Sequence, residues 1–195
     1  MQRQVLVIAG PTGSGETTVT NEIVRRFPSR MKRLVTATTR PPRAGEQNGV
    51  DYYFFTPEEF MSAKERGEIL ESTYIANRDT YYGTYAPDLK KKVASGDIVI
   101  VNPDIVGARY YREHFDAIAI FIVPESIDAL ARRIRDRNPE LPEAEIEKRR
   151  ENAEAEIRDE QSFYDYTVRN ADGKLEDAVL HVVDIMRKEG YTLES

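Results

Sequence analysis

Ala9–Thr18 reads AGPTGSGETT, and the fold turns on how this stretch is understood. It follows the phosphate-loop pattern G-x-x-x-x-G-K-[ST] at Gly10 and Gly15 and closes it with Thr17, but the lysine position holds Glu16. Gly10, Gly13 and Gly15 permit backbone geometries that aim successive N–H groups at phosphate oxygens. A helix starting just beyond the loop adds the positive end of its dipole. Pro11, Thr12, Ser14 and Thr18 complete the cradle, and Thr17 would offer its hydroxyl to a Mg²⁺ ion. A chemically idle glycine-rich turn would use similar letters, so the flanks must decide.

Upstream, Val5–Ile8 is a short branched apolar run, as expected of a parallel strand covered on both faces. Downstream, TTVTNEIVRRF (17–27) places Val19, Ile23 and Val24 at helical spacing. Strand, loop and helix is the context a phosphate loop needs. Further apolar runs at DIVIV (97–101), AIAIFIV (117–123) and DYTVR (165–169) read as strands. Leu34–Thr36 is a weaker strand candidate, VDYYFF (50–55) and Ile69–Tyr74 read as strands, and YYGT (81–84) reads as a turn. Helices are expected from the Thr56 cap to Gly67, from Pro87 to Ser95, from the Ser126 cap to Asp136, over Glu143–Gln161 and over Leu175–Lys188. Alternating strands and helices predict an α/β domain with a mainly parallel sheet flanked by helices.

Bulk properties narrow the function. With 40% hydrophobic and 32% charged residues the 195-residue chain is globular, of a size for one domain. A net charge of −6 argues against a general nucleic-acid or membrane surface, so an anionic ligand needs a local basic site. The absence of cysteine excludes disulfides and cysteine zinc sites. The N-terminal apolar run is too short for a signal peptide or membrane span, and the expected location is the cytoplasm.

One such basic site is TTRPPRAGEQNGVDYYFF (38–55), where Arg40 and Arg43 sit in a proline-stiffened loop followed by Glu46 and Tyr52. Paired guanidinium groups suit a dianionic phosphate, although two solvated surface arginines would look alike in sequence.

Taken together, GPTGSGETT, TTRPPRAGEQNGVDYYF, GEILE, YYGT, RRIRDR, EKRRENAEAEI and YDYTVRN run in order over nearly the whole chain. The set resembles the guanylate kinase family, which phosphorylates GMP with ATP, and the TTRxPRxGExxGxDYxF pattern is specific to it. The resemblance implies a P-loop kinase core (1–33, 88–130 and 157–195), a GMP-binding α+β insertion (34–87) and a helical lid (131–156). It implies ATP and GMP as small-molecule partners, with Mg²⁺ accompanying ATP. Arg40, Arg43, Glu46, Tyr52 and Tyr82 match positions on the GMP phosphate side, and Thr36, Glu71, Thr84 and Asp104 match those that read guanine. Arg133, Arg137 and Arg149 match arginines that converge on the transferring phosphoryl group, although on residue type alone they read as a solvated helix face.

The departures cluster on the ATP side. Glu16 replaces the loop lysine, and VNPDIVGA (101–108) replaces a pattern near LDIDxQGA, which puts Asn102 and Val106 at aspartate and glutamine positions. Opposite charges about 4 Å apart are worth roughly 4 kcal/mol at an effective dielectric near 20, so reversing the sign costs up to about 8 kcal/mol before relaxation. Half of that slows transfer about a thousandfold. Two escapes follow: Arg133 or Arg137 takes over the charge, or Glu16 ligates a bridging metal; with either, the acid lost at Asn102 partly offsets the one gained at Glu16. The sequence thus supports a nucleoside monophosphate kinase with an altered donor site. A guanine-nucleotide binder with weak transfer is the alternative, and the guanine-reading set argues against a phosphosugar kinase.

Overall fold

Every residue of Val5–Ala9 is apolar, and every one is buried, because this strand (β1) lies at the centre of a five-stranded sheet. The computed structural model describes residues 3–193. After β1 come helix α1 (Glu16–Arg26), β2 (Met31–Arg33), β3 (Ala37–Thr38), β4 (Tyr53–Phe54), α2 (Pro57–Glu65), β5 (Ile69–Ile75) and β6 (Thr80–Tyr85). The chain continues through α3 (Ala86–Ala94), β7 (Ile98–Val101), α4 (Ile105–Phe115), β8 (Ile118–Pro124), α5 (Ile127–Arg137), α6 (Glu143–Glu160), β9 (Tyr166–Asn170) and α7 (Leu175–Lys188). The central sheet has the order β2-β7-β1-β8-β9, and all its pairings are parallel.

Period-two alternation sends side chains of each buried strand to opposite cores. Leu6 and Ile8 of β1 and Ile118, Ile120 and Ile122 of β8 pack with Val19 and Ile23 of α1 and Val179, Val182 and Met186 of α7. Val5, Val7 and Phe121 face the other way, toward Leu89 of α3, Ala108 and Tyr111 of α4, and Tyr164. Helices on both faces thus account for strands without polar residues.

A second, four-stranded sheet has the order β4-β3-β6-β5 and a small core of Ala37, Phe60, Ala63 and Ile69. Its helix α2 starts as expected: the Thr56 hydroxyl accepts from Glu59 N, and the Glu59 carboxylate accepts in turn from Thr56 N. The hairpin of α5 and α6 packs through Leu130, Ala131 and Ile134 against Ile146 and Ala153. No helix among the described residues is long and apolar enough to cross a membrane.

The structure corrects three local expectations and adds one helix. Leu34–Thr36 is not a strand of its own; Leu34 N still donates to Ile100 O of β7 and Thr36 O accepts from Tyr53 N of β4, and between them the chain passes from one sheet to the other. VDYYFF contributes only Tyr53–Phe54 to a strand. YYGT lies inside β6, not in a turn. The reversal instead uses a short 3₁₀ segment, Ala76–Arg78, and Asp79 at φ 46°. Gly83 serves close strand approach, since a Cβ there would fall 2.6 Å from the Glu71 carbonyl oxygen. Finally, α4 had no sequence signal strong enough to announce it, because Ile, Val, Gly and Tyr are modest or poor helix formers. Its N-terminus is fixed by Asp104, whose side chain accepts from Gly107 N at 3.0 Å.

Gly10 marks the tightest point between β1 and the loop: a Cβ there would lie 2.3 Å from the Ile122 carbonyl oxygen of the neighbouring strand. Because the obstacle is backbone, Gly10→Ala is expected to lower stability by about 1–3 kcal/mol. In urea unfolding this appears as a lower midpoint with an unchanged slope.

Candidate active site

The glycine loop has the backbone its sequence calls for. Gly13 and Gly15 take φ of 94° and 93°, and Ser14 N closes a turn on the Pro11 carbonyl at 2.9 Å. Helix α1 begins at Glu16 with no side chain capping it, so its first amides remain open to a ligand. Donors grip the loop's carbonyls from behind. Asn170 Nδ2 donates to the Ser14 oxygen at 2.8 Å. Arg133 Nη1 reaches the Gly13 and Ser14 oxygens at 3.4 and 3.3 Å, while its Nη2 donates to the Asn170 oxygen and its Nε to Asp172.

Glu16 is folded onto its own loop. Its carboxylate accepts from Ser14 Oγ at 3.2 Å and from Thr17 Oγ1 at 3.0 Å. Asn102, at the end of β7, donates through Nδ2 to the Ile8 carbonyl at 2.8 Å and to Thr20 Oγ1 at 2.9 Å. Thr20 is one helical turn beyond Glu16, so Asn102 and Glu16 serve the same side of α1. Aspartate at 102 would have no proton for the Ile8 carbonyl, which explains why an amide suits this position.

A second pocket, about 390 Å³, opens between the two sheets. Thr36, Tyr52, Glu71, Tyr82 and Asp104 line it together with Asn102. Thr84 lies buried behind the wall and donates to Glu71 Oε1 at 2.6 Å. Burial pushes the Glu71 carboxyl up from its ordinary value, opposed by the bond from Thr84. Beside the pocket, Arg40 holds Glu46 through both terminal nitrogens, at 2.9 and 2.8 Å, and Arg43 N donates to the same carboxylate at 2.7 Å. The Arg40 guanidinium, followed by the Arg43 amide, holds the Glu46 carboxyl down to about 2, well below the usual range. Arg40 also stacks over Tyr52, 5.3 Å from the ring centre, while Arg43 is exposed. A larger groove of about 790 Å³, between α5, α6, β9 and α7, contains none of these residues.

Of the three hairpin arginines expected near the reacting group, only Arg133 hydrogen-bonds the loop among the described residues. Arg149 is paired with Glu145 one turn back at 3.0 Å, and Arg137 is exposed at the end of α5. One acid escaped sequence reasoning altogether. Glu156 of α6 is only half-exposed, and its carboxyl is raised to about 7, first by burial and then by Glu160, Glu16 and Asp104. In a helix with acids at so many positions, nothing in the sequence distinguishes the one that faces other acids.

A phosphate loop at the end of a parallel sheet, facing a second pocket built on another sheet, is the layout of a phosphotransferase that holds two ligands at once: a P-loop kinase. Within that class the chain belongs to the guanylate kinase family, whose sequence model matches residues 2–189. A guanylate kinase of Synechococcus sp. (strain JA-3-3Ab) is 39% identical over 168 residues, covering 86% of this chain and 75% of the relative. That of Thermotoga maritima is 37% identical over 190 residues, covering 97% and 88%. The crystal structure of guanylate kinase from Anaplasma phagocytophilum superposes with a TM-score of 0.73 at 27% identity, covering 98% of this chain and 89% of that one.

The Glu156 environment has a consequence for stability. Because the folded value of about 7 exceeds the ordinary 4.5, the folded chain holds this proton more tightly than the unfolded chain. The stabilising preference is complete below about pH 4.5 and is lost as pH rises through about 7. Glu156→Gln is therefore expected to leave the melting temperature unchanged near pH 4.5 and to raise it at alkaline pH. Discounted for solvent screening to about 1 kcal/mol, the gain is about 2–4 °C, measured by thermal melts across that range.

Proposed function

We propose that this chain transfers the γ-phosphoryl group of ATP to GMP or dGMP, giving ADP and GDP or dGDP. The observation that carries the reading is the convergence of Thr36, Tyr52, Glu71, Tyr82 and Asp104 on one cleft beside the Arg40–Glu46 pair. Guanine presents donors at N1 and N2 and an acceptor at O6, and the cleft offers two carboxylates and a hydroxyl to match them. Arg40 and Arg43, with Tyr52 and Tyr82, take the GMP phosphate. Two of the Arg40 donors go to Glu46, which leaves others for a phosphate while fixing the plane of the guanidinium.

On the donor side, the loop Gly10–Thr18 holds the ATP phosphates through its backbone N–H groups, which every residue but Pro11 supplies. Mg²⁺ fits here: it favours oxygen ligands, few of them from protein, and the Thr17 hydroxyl keeps its lone pairs while donating its proton to Glu16. Thr17 would hold the ion, with Glu16 beside it, and the ion would supply charge neutralisation on the phosphates. The chain's own work is positioning: a GMP phosphate oxygen attacks the γ-phosphorus as the bond to the ADP oxygen breaks, with no covalent enzyme intermediate. Residues 34–87 act as the acceptor-binding unit and 131–156 as a lid on a core of the remaining segments. Closure of the lid brings Arg137 and Arg149 to the transferring group and excludes water. Arg133, which grips loop carbonyls, steadies the loop at the same time.

Glu16 reduces the rate rather than abolishing binding, since its charge is spread onto two hydroxyls and Asn102 spares the neighbourhood a further acid. The test is coupled detection of ADP formed from ATP and Mg²⁺, with GMP, with AMP and without acceptor. GMP-dependent turnover is expected, and Glu16→Lys is expected to raise kcat by up to about a thousandfold with little change in the KM for GMP. GMP binding without turnover in either form would replace the reading with that of a guanine-nucleotide binder.

A further inference from the structure

The guanine-side acid sits at the end of a buried hydrogen-bond chain. Thr84 Oγ1 donates to Glu71 Oε1 at 2.6 Å, and the Tyr111 hydroxyl lies 2.5 Å from the same Thr84 oxygen. Threonine has one hydroxyl proton. With Glu71 ionised that proton is committed to the carboxylate, so the Tyr111 hydroxyl must be the donor to Thr84. Both Tyr111 and Thr84 are 1% exposed, and water offers neither an alternative partner. The chain therefore has one polarity, from Tyr111 through Thr84 to Glu71, as long as Glu71 carries its charge.

We propose that Tyr111 is a positioning and specificity residue for the purine: acting through Thr84, it holds Glu71 as an ionised acceptor, so that the pocket takes a base edge that donates and rejects one that accepts. The inference rests on the proposed GMP site and adds to it a residue that does not touch the ligand. Guanine meets the carboxylate with N1–H and N2–H; adenine would bring the lone pair of N1 against it. Burial keeps the proton on Tyr111 throughout the physiological range. The groups facing Glu71 from its surroundings divide. Asp104, before α4, opposes its charge, while Lys64 of α2 favours it. Tyr110 of α4 lies within reach of the same charge. The first turn of α4 also abuts the carboxylate, since a Cβ on Gly107 would be 3.4 Å from Glu71 Oε1, and its dipole favours the ionised form. Without Tyr111, Thr84 loses the donor that polarises it, and the balance shifts toward protonated Glu71.

The test is calorimetric binding of GMP, AMP and Mg²⁺-ADP to the unmodified chain, to Tyr111→Phe, to Thr84→Val and to the double variant, at several pH values. Tyr111→Phe keeps the ring and its packing. The expected result is a GMP Kd raised about tenfold at neutral pH, an unchanged Mg²⁺-ADP Kd, and weakening of GMP binding that begins at higher pH than in the unmodified chain. The margin of GMP over AMP should narrow, and the double variant should be no weaker than Thr84→Val alone. An unchanged GMP Kd and pH dependence overturns the inference while leaving the proposed function in place. Equal losses for GMP and Mg²⁺-ADP, with a lowered melting temperature, overturn it in favour of a packing role. If the unmodified chain does not bind GMP, the proposed function falls and the inference with it.

Discussion

The hydrogen bonds that hold the glycine loop from behind are what the rest of the site depends on. A phosphate loop works only if its N–H groups face the ligand together, which requires its carbonyls to face away and find partners there. Asn170, from the end of β9, and Arg133, from α5, provide those partners at Gly13 and Ser14. Asn102 does the same for Ile8 one residue before the loop's approach. The donors come from three elements that a parallel sheet brings to the same end, so the loop's shape is set by the whole core.

Charge is the second constraint. A chain of net charge −6 must accept two polyanions, and Glu16 and Asp104 already lie near enough to Glu156 to help raise its carboxyl. The structure answers each differently. Glu16 accepts hydrogen bonds from two hydroxyls, Asp104 has one oxygen committed to the α4 amide, and Glu156 is raised, first by burial, to about 7. Against them stand Arg40, fixed by Glu46, and the arginines of the α5–α6 hairpin. Phosphate binding at this site is therefore expected to weaken steeply with ionic strength.

Much of this architecture is legible in the letters. β1, β7 and β8 announce themselves because a strand buried on both faces tolerates no polar residue, and Thr56-Pro57-Glu58-Glu59 states where α2 begins. What escaped depends on contacts between distant segments. Tyr81–Thr84 looks like a turn because it contains glycine, yet Gly83 is there to let β5 approach. α4 is held by its cap and by packing at Ala108 and Tyr111 rather than by propensity. The loop and cleft residues could be proposed by resemblance to a family, but the folding of Glu16 onto Ser14 and Thr17 could not, because a side chain's rotamer is decided by neighbours that motif spacing does not specify.

Our central proposal is that the loop's shape suits phosphates and that the carboxylate at its lysine position burdens transfer far more than binding. Calorimetric titration of Mg²⁺-ADP into the unmodified chain and into Glu16→Lys tests it without requiring turnover. Binding to both is expected, with a gain for lysine below about tenfold, that is, below about 1.4 kcal/mol. Binding by the lysine variant alone would contradict it and place the effect of Glu16 on the loop itself.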